Sequence, residues 1–216
     1  MSDDTKPFNL NMHTARLLMR EPFFAGLSRR IDKVSTTAIP TAGVRVNPDS
    51  AQFELLYNPE FFAQLDDDHK LGVLKHEFYH LIFEHVTNRK PADGLKRIDN
   101  IAMDLAINSH IANELPGENN PGPIIGKEPM KACIPGEGMF KDLPSFKSYE
   151  WYLEALKKMQ DEQQKEAGDG EGGEGSGDPF GDADSLDDHN GFGEVDGTTE
   201  DIAKAVSYTH LRAHET

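Results

Sequence analysis

The sequence predicts an α+β fold in which a small β-sheet, with a hairpin at 42–57, packs on two long helices at 69–88 and 98–115. Two sequence patterns predict this class. Apolar residues recur every three or four positions in the two long segments, and strand-like apolar runs flank a turn in the hairpin segment. The chain has 216 residues and a hydrophobic content of 37%. This composition predicts one modest domain and a long stretch without a hydrophobic core.

Two short helical segments are expected near the N-terminus. The first covers Asn11–Arg20 and runs up to Glu21-Pro22. A second apolar stripe follows it at Phe23, Phe24, Leu27 and Ile31.

A β-hairpin and a short helix come next. The strands are expected over Ala42–Val46 and Gln52–Tyr57, because the turn-forming residues Asn47-Pro48-Asp49-Ser50 lie between two apolar runs. Asn58-Pro59 has the character of a helix cap followed by proline at the first helical position. This pair predicts a short helix over Glu60–Leu65.

The segment 71–88 carries the motif HExxH, formed by His76, Glu77 and His80. Four residues of α-helix turn the chain by about 400°, so the two histidines lie on one face and can bind one metal ion. Glu77 lies one step around the helix. There it can reach a metal-bound water without being a ligand, as the general base of a zinc hydrolase must. The alternative is a pair of hydrogen-bonded histidines on a packing helix.

The limits of this helix are predicted from its flanking residues. Asp66, Asp67 and Asp68 supply an N-terminal cap and favourable negative charge. Arg89-Lys90-Pro91 marks the expected C-terminal end.

Two histidines leave a catalytic zinc ion one protein ligand short, and the second long helix offers the best-placed candidate. Asn100, Asp104 and Asn108 follow one another at intervals of four residues, which places them in one line along the helix. Asp104 is the preferred third ligand, and Asn108 would orient a ligand by hydrogen bonding. The alternative is a buried aspartate that only accepts hydrogen bonds.

Three other residues remain open as the third ligand. Glu84 lies one turn beyond the second histidine of the motif, on the same face. In an unbroken helix His85 lies about 140° from that histidine and points away from the metal, and no glycine is present to break the helix. If it is not a ligand, His85 is interpreted as a histidine that supports a ligand or packs in the core. Asp99 precedes Asp104 on the second helix and is less well placed.

Charge and cysteine content exclude several classes of function. Most of the net charge of −16 lies between residues 161 and 201, a segment with fifteen acidic residues and a single positively charged residue, Lys165. The rest of the chain is close to neutral, so no basic surface supports binding to nucleic acid. Cys133 is the only cysteine, which excludes an intrachain disulfide and a thiolate zinc site. With no signal peptide and no membrane-spanning apolar run in the sequence, we expect a cytoplasmic protein.

The chain is expected to divide into three parts. Residues 1–160 form the domain with the metal site, and 116–144 within it is a long Gly- and Pro-rich loop. Residues 161–205 form an acidic, Gly-rich linker. The last part, 206–216, resembles the translation of a sequencing adapter, so we exclude its histidines and glutamate as ligands.

Four stretches carry a resemblance to a known family. They are Phe23-Phe24, the run Tyr57-Asn58-Pro59-Glu60-Phe61, HEFYHLIFEH at 76–85 and NIAMDLAIN at 100–108. In these the chain resembles the metallopeptidase domain found N-terminal to VWA-like domains in bacterial and phage proteins. The match covers roughly residues 10–156.

The resemblance implies a role for each matched site residue. His76 and His80 would be metal ligands, Glu77 the catalytic acid and base, and Asp104 the third ligand. The cofactor would be zinc and the substrate a peptide or protein. A VWA-like domain would follow the linker in the natural protein, beyond the residues of this sequence.

A zincin-like fold and a zinc-dependent metallopeptidase are therefore the expected fold and function. The competing hypothesis is a non-catalytic interaction module whose metal stabilises it as the partner of a VWA-like domain. A structural zinc site is closed by four protein ligands, whereas a catalytic one keeps an open position.

Overall fold

The computed structural model of the chain describes residues 8–91, 94–125, 128–168 and 180. Within them the fold is mixed α/β, with six α-helices and a three-stranded sheet, which confirms the predicted class. The described residues up to Leu95 form one compact unit, and those from Lys96 onwards form a second. No helix of the described residues is long and apolar enough to span a membrane. The predicted tail, and the predicted linker from 169 onwards except 180, lie outside the described residues.

The first unit begins with two helices, α1 (Leu10–Arg20) and α2 (Pro22–Ser28). The side chain of Asn9 caps α1 by accepting hydrogen bonds from two backbone N–H groups of the first turn. Pro22 occupies the first position of α2, where no N–H donor is needed. The first predicted helix is therefore confirmed, and α2 contains Phe23, Phe24 and Leu27 of the predicted apolar stripe but ends before Ile31.

The sheet of this unit has the strand order β1-β3-β2. Its strands are β1 (Asp32–Ser35), β2 (Ala42–Val46) and β3 (Phe53–Tyr57). Strands β2 and β3 are antiparallel, with Val44 opposite Leu55, which confirms the hairpin. Strand β1 pairs in parallel with β3 and was not predicted from the sequence. It is a short edge strand with a mostly exposed surface, so it lacks the apolar alternation that identifies a buried strand.

The predicted short helix and the motif helix complete the first unit. They are α3 (Pro59–Gln64), capped by Asn58, and α4 (Asp67–Ile82), capped by Asp66. Helix α4 packs on β2 and against α1 and α2. Ten of its sixteen residues are buried, and this dense packing fixes the position of the motif side chains.

The second unit is built on α5 (Arg97–Ile111) and α6 (Tyr149–Gly168), which pack on each other. The predicted second long helix is α5, and a short 3₁₀ turn (Ala112–Glu114) continues it. The predicted loop region contains a pair of two-residue strands, β4 (Ile124–Ile125) and β5 (Glu128–Pro129), and a 3₁₀ turn at Gly138–Phe140. Tyr149, Tyr152 and Leu156 of α6 are buried at helical spacing.

Candidate metal centre

The HExxH residues lie in the second half of α4. Nε2 of His76 and Nε2 of His80 are 3.1 Å apart, and the two imidazole planes are inclined by 72°. His76, Glu77 and His80 all have an exposed fraction of 0%. The helical spacing of four residues therefore brings the two imidazoles together, as the sequence predicts.

The spacing of these nitrogens fits a shared metal ion. Two imidazole ligands of a tetrahedral zinc ion, each bound at about 2.0–2.1 Å, have nitrogens about 3.3–3.4 Å apart. The observed 3.1 Å is a few tenths of an ångström shorter, a difference that small side-chain rotations remove. The same spacing also suits an N–H···N hydrogen bond, so the pair has a stable arrangement before a metal binds.

Asp104 joins the two histidines as a third potential ligand. One ligand atom from each of His76, His80 and Asp104 lies within 4.8 Å of the others, and all three residues are buried. Glu77 is not a member of this group of potential ligands. Two neutral nitrogen donors with one carboxylate oxygen are a donor set that zinc accepts. The group could therefore hold a metal ion.

The motif helix ends earlier than the sequence predicts. It was expected to continue to residue 88, but its last helical residue is Ile82. Glu84 has a φ of +60°, in the left-handed region. The His85 N–H donates to the His80 carbonyl (2.9 Å) and the Glu84 N–H to the Leu81 carbonyl (3.2 Å). These two bonds and the left-handed residue form a Schellman motif, in which Glu84 takes the place usually occupied by glycine.

This early end changes the position of His85. The sequence prediction assumed an unbroken helix, in which His85 points away from the motif. Instead its Nδ1 lies 3.1 Å from Nδ1 of His80, and the residue is fully buried. The helix was expected to continue because no glycine follows His80, and this expectation is wrong: Glu84 adopts the left-handed conformation, which costs a non-glycine residue about 1–2 kcal/mol. No sequence signal indicated this conformation. The sequence therefore allowed a supporting or core role for His85 but did not predict its contact with His80.

The other two alternative ligands are engaged elsewhere. Glu84 lies beyond the end of α4 with an exposed side chain, and its carboxylate accepts a hydrogen bond from the Asn88 amide (2.9 Å). Asp99 lies in the first turn of α5, where its carboxylate accepts hydrogen bonds from the Lys96 backbone N–H (3.0 Å) and the Tyr149 hydroxyl (3.0 Å). Burial, together with the charge of Asp99, raises the pKa of the Tyr149 phenol above its ordinary range.

Asn108 and Tyr152 make polar contacts within the second unit. The Asn108 amide donates to the carbonyl of Cys133 (2.9 Å), which ties α5 to the loop that follows it. The Tyr152 hydroxyl donates to the carbonyl of Pro144 (2.7 Å) and lies 2.9 Å from Oγ of Ser109. Both residues thus anchor the loop and α6 to α5.

A mixed α/β chain with HExxH on one helix, and a buried group of two histidines and one aspartate, has the features of a metal-binding domain. The family model described as "Putative metallopeptidase domain" matches residues 5–212. The chain belongs to this family. Comparisons with curated proteins and with solved structures gave no significant match.

Proposed function

We propose that this chain is a zinc-dependent metallopeptidase with a zincin-like site. His76, His80 and Asp104 hold the metal, and Glu77 is the general acid and base. The observation that carries the proposal is the buried group of three potential ligands on an HExxH chain of this family. Asp104 is preferred over Glu84 and Asp99 because its ligand atom lies close to those of both histidines.

The chemistry assigns a separate task to each residue. Zinc in such a site acts as a Lewis acid that activates water and polarises a carbonyl group. Glu77 follows His76 directly in the helix and is outside the ligand group, so its carboxylate is left for proton transfer. It accepts a proton from the attacking water and delivers it to the leaving amine.

The competing function is a non-catalytic module in which the metal has a structural role. One observation favours it: the three ligand candidates and Glu77 all have an exposed fraction of 0%. A catalytic zinc site must admit water and substrate at an open position, whereas a structural site needs no access. A peptide substrate belongs to the catalytic proposal alone, whereas a VWA-like domain outside these 216 residues would be a partner on either proposal.

Zinc content tests the site. The purified chain should contain about one zinc ion per molecule by elemental analysis, as such sites do. His76→Ala should lose the zinc, because a single histidine and a carboxylate hold it poorly. A folded wild-type chain that takes up no zinc from solution would contradict the metal site.

Glu77→Gln separates the two functions. Glutamine has nearly the same shape and cannot accept the proton, so this variant should keep zinc and abolish cleavage of a disordered protein or a peptide library. Loss of zinc from Glu77→Gln would identify Glu77 as a ligand. Zinc-loaded wild-type chain that cleaves none of these substrates would favour the non-catalytic module.

A further inference from the structure

We propose that His85 is a positioning residue for His80, which it holds in the tautomer that presents Nε2 to the metal. The inference rests on the proposed metal site. It concerns a residue outside the HExxH motif and outside the group of three potential ligands.

The two nitrogens of the His80 ring face different neighbours. Nε2 lies 3.1 Å from Nε2 of His76, on the side of the proposed metal. Nδ1 lies 3.1 Å from Nδ1 of His85. A neutral imidazole carries one proton, and a ring that binds metal through Nε2 must carry it on Nδ1. His80 then donates from Nδ1–H to Nδ1 of His85, which keeps its own proton on Nε2.

Metal-binding histidines generally donate their second N–H to an acceptor that fixes the ring. A carboxylate or a backbone carbonyl usually has this role, and here the position is occupied by a second imidazole. Both rings are fully buried, so water does not compete for the hydrogen bond. The His80 ring is therefore oriented before a metal ion arrives.

The backbone holds the same two residues together. The His85 N–H donates to the His80 carbonyl as part of the Schellman motif, at 2.9 Å. The ring centroids are 5.1 Å apart and the ring planes are inclined by 68°. A backbone bond and a side-chain bond between the same pair leave little freedom for either ring. The left-handed conformation of Glu84 is what turns the chain so that both bonds can form.

Two substitutions of His85 test the hydrogen bond. In His85→Asn the amide oxygen lies close to the place of Nδ1 and keeps an acceptor, whereas His85→Leu fills similar space without one. Zinc affinity is measured for both by competition with a chromophoric chelator at fixed pH. We expect His85→Leu to bind zinc about 10–100-fold more weakly than wild type, the effect typical of losing such a partner. We expect His85→Asn to recover most of that affinity.

His13→Leu is the matched control, because His13 is also a buried histidine but lies on α1 and stacks on Phe8. It should keep wild-type zinc affinity even if the protein becomes less stable. The proposal is overturned if His85→Leu binds zinc as tightly as wild type, or if His85→Asn is as weak as His85→Leu. Absence of zinc from the wild-type chain would instead overturn the metal site itself.

Nitrogen NMR of the imidazoles provides a readout that does not depend on the variants being folded. In the zinc-loaded wild-type chain, the shifts should show metal on Nε2 and a proton on Nδ1 of His80, with the proton of His85 on Nε2. A His80 ring bound through Nδ1 would overturn the proposal. The proposal would also be overturned if the proton between the two Nδ1 atoms were bonded to His85 instead of His80.

Discussion

The two ends of helix α4 contrast in burial and in the way their backbone groups are satisfied. At the N-terminal end, Asp66 caps the helix, and Asp67 and Asp68 form exposed ion pairs with Arg16 and Arg20. At the C-terminal end the imidazoles of His76, His80 and His85 are buried in mutual contact, and the exposed, left-handed Glu84 ends the helix. Substitutions at the first end should change the stability of the fold, whereas those at the second should change the binding of metal.

The contrast follows from the physics of each end. An exposed aspartate at a helix start acts through one or two local contacts, and water replaces much of what is lost on its removal. Buried imidazoles depend on one another, since moving one leaves another without its hydrogen-bond partner in a medium of low dielectric constant. The C-terminal end should therefore respond to single substitutions as a coupled group.

The largest expected effect is at His80. His80→Ala removes both a proposed ligand and the partner of His85, so bound zinc should fall from about one ion per chain to nearly none by elemental analysis. His69→Ala is the matched variant from the other end of the helix, where Nδ1 of His69 lies 3.0 Å from the Asp66 carboxylate. It should cost about 1–3 kcal/mol of unfolding free energy and leave the zinc in place. Equal loss of zinc from both variants would contradict the division between the two ends.

Glu84 offers the next largest effect. Glu84→Val places a β-branched residue in the left-handed region, and should lower the unfolding free energy by about 1–2 kcal/mol. It should also weaken zinc binding, because His85 would be displaced from His80. Glu84→Gly is the control: it adopts the same backbone conformation without strain, and should be up to about 1 kcal/mol more stable than wild type. If valine and glycine behave alike in denaturant unfolding and zinc titration, the turn does not position His85.

Asp66→Ala should have a smaller effect, confined to stability. The Asp66 carboxylate accepts a hydrogen bond from the His69 backbone N–H (2.8 Å), and removing an N-cap of this kind costs about 0.5–2 kcal/mol. Chemical denaturation measures the change. Zinc affinity should match wild type within error, and a large drop would mean that the start of the helix also controls the metal centre.

Much of the first unit could be predicted from its sequence, because the signals are local. Asn9 and Asn58 cap helices. Asn47-Pro48-Asp49-Ser50 follows the first strand of the predicted hairpin, and the structure pairs the two strands antiparallel. Strand β1 could not be predicted, because its pairing with β3 is long-range and its own residues are mostly exposed. Edge pairing of this type is decided by tertiary structure.

The geometry of the candidate metal centre could be predicted to the extent that it depends on helical spacing. His76 and His80 meet because four residues of helix bring them together, and Asp104 was selected by the requirement for a third ligand. The contact between His85 and His80 was not predictable, because it depends on the left-handed conformation of a glutamate. Propensity assigns that position to the helix, and only packing selects the rarer conformation.

The smallest expected effect is at the exposed ion pair between Arg16 and Asp67. A hydrogen bond from the Arg16 guanidinium is the main cause that holds the pKa of the Asp67 carboxyl below its usual range. Because the folded pKa is the lower one, the contribution to stability is present above the unfolded value of about 3.9 and is lost as pH falls through the folded value. Arg16→Gln should therefore cost about 0.2–1 kcal/mol of unfolding free energy at neutral pH, as exposed pairs do, and the difference from wild type should shrink below about pH 4.

Added salt should also reduce the difference between Arg16→Gln and wild type, since the side chains of Arg16 and Asp67 are both about half exposed. Arg20→Gln is the control, because the Arg20–Asp68 pair is more exposed and should contribute less at any pH. Thermal unfolding between pH 3 and 7 measures both variants, and a difference for Arg16→Gln that persists at pH 3 would assign its effect to packing of the arginine side chain instead of its charge.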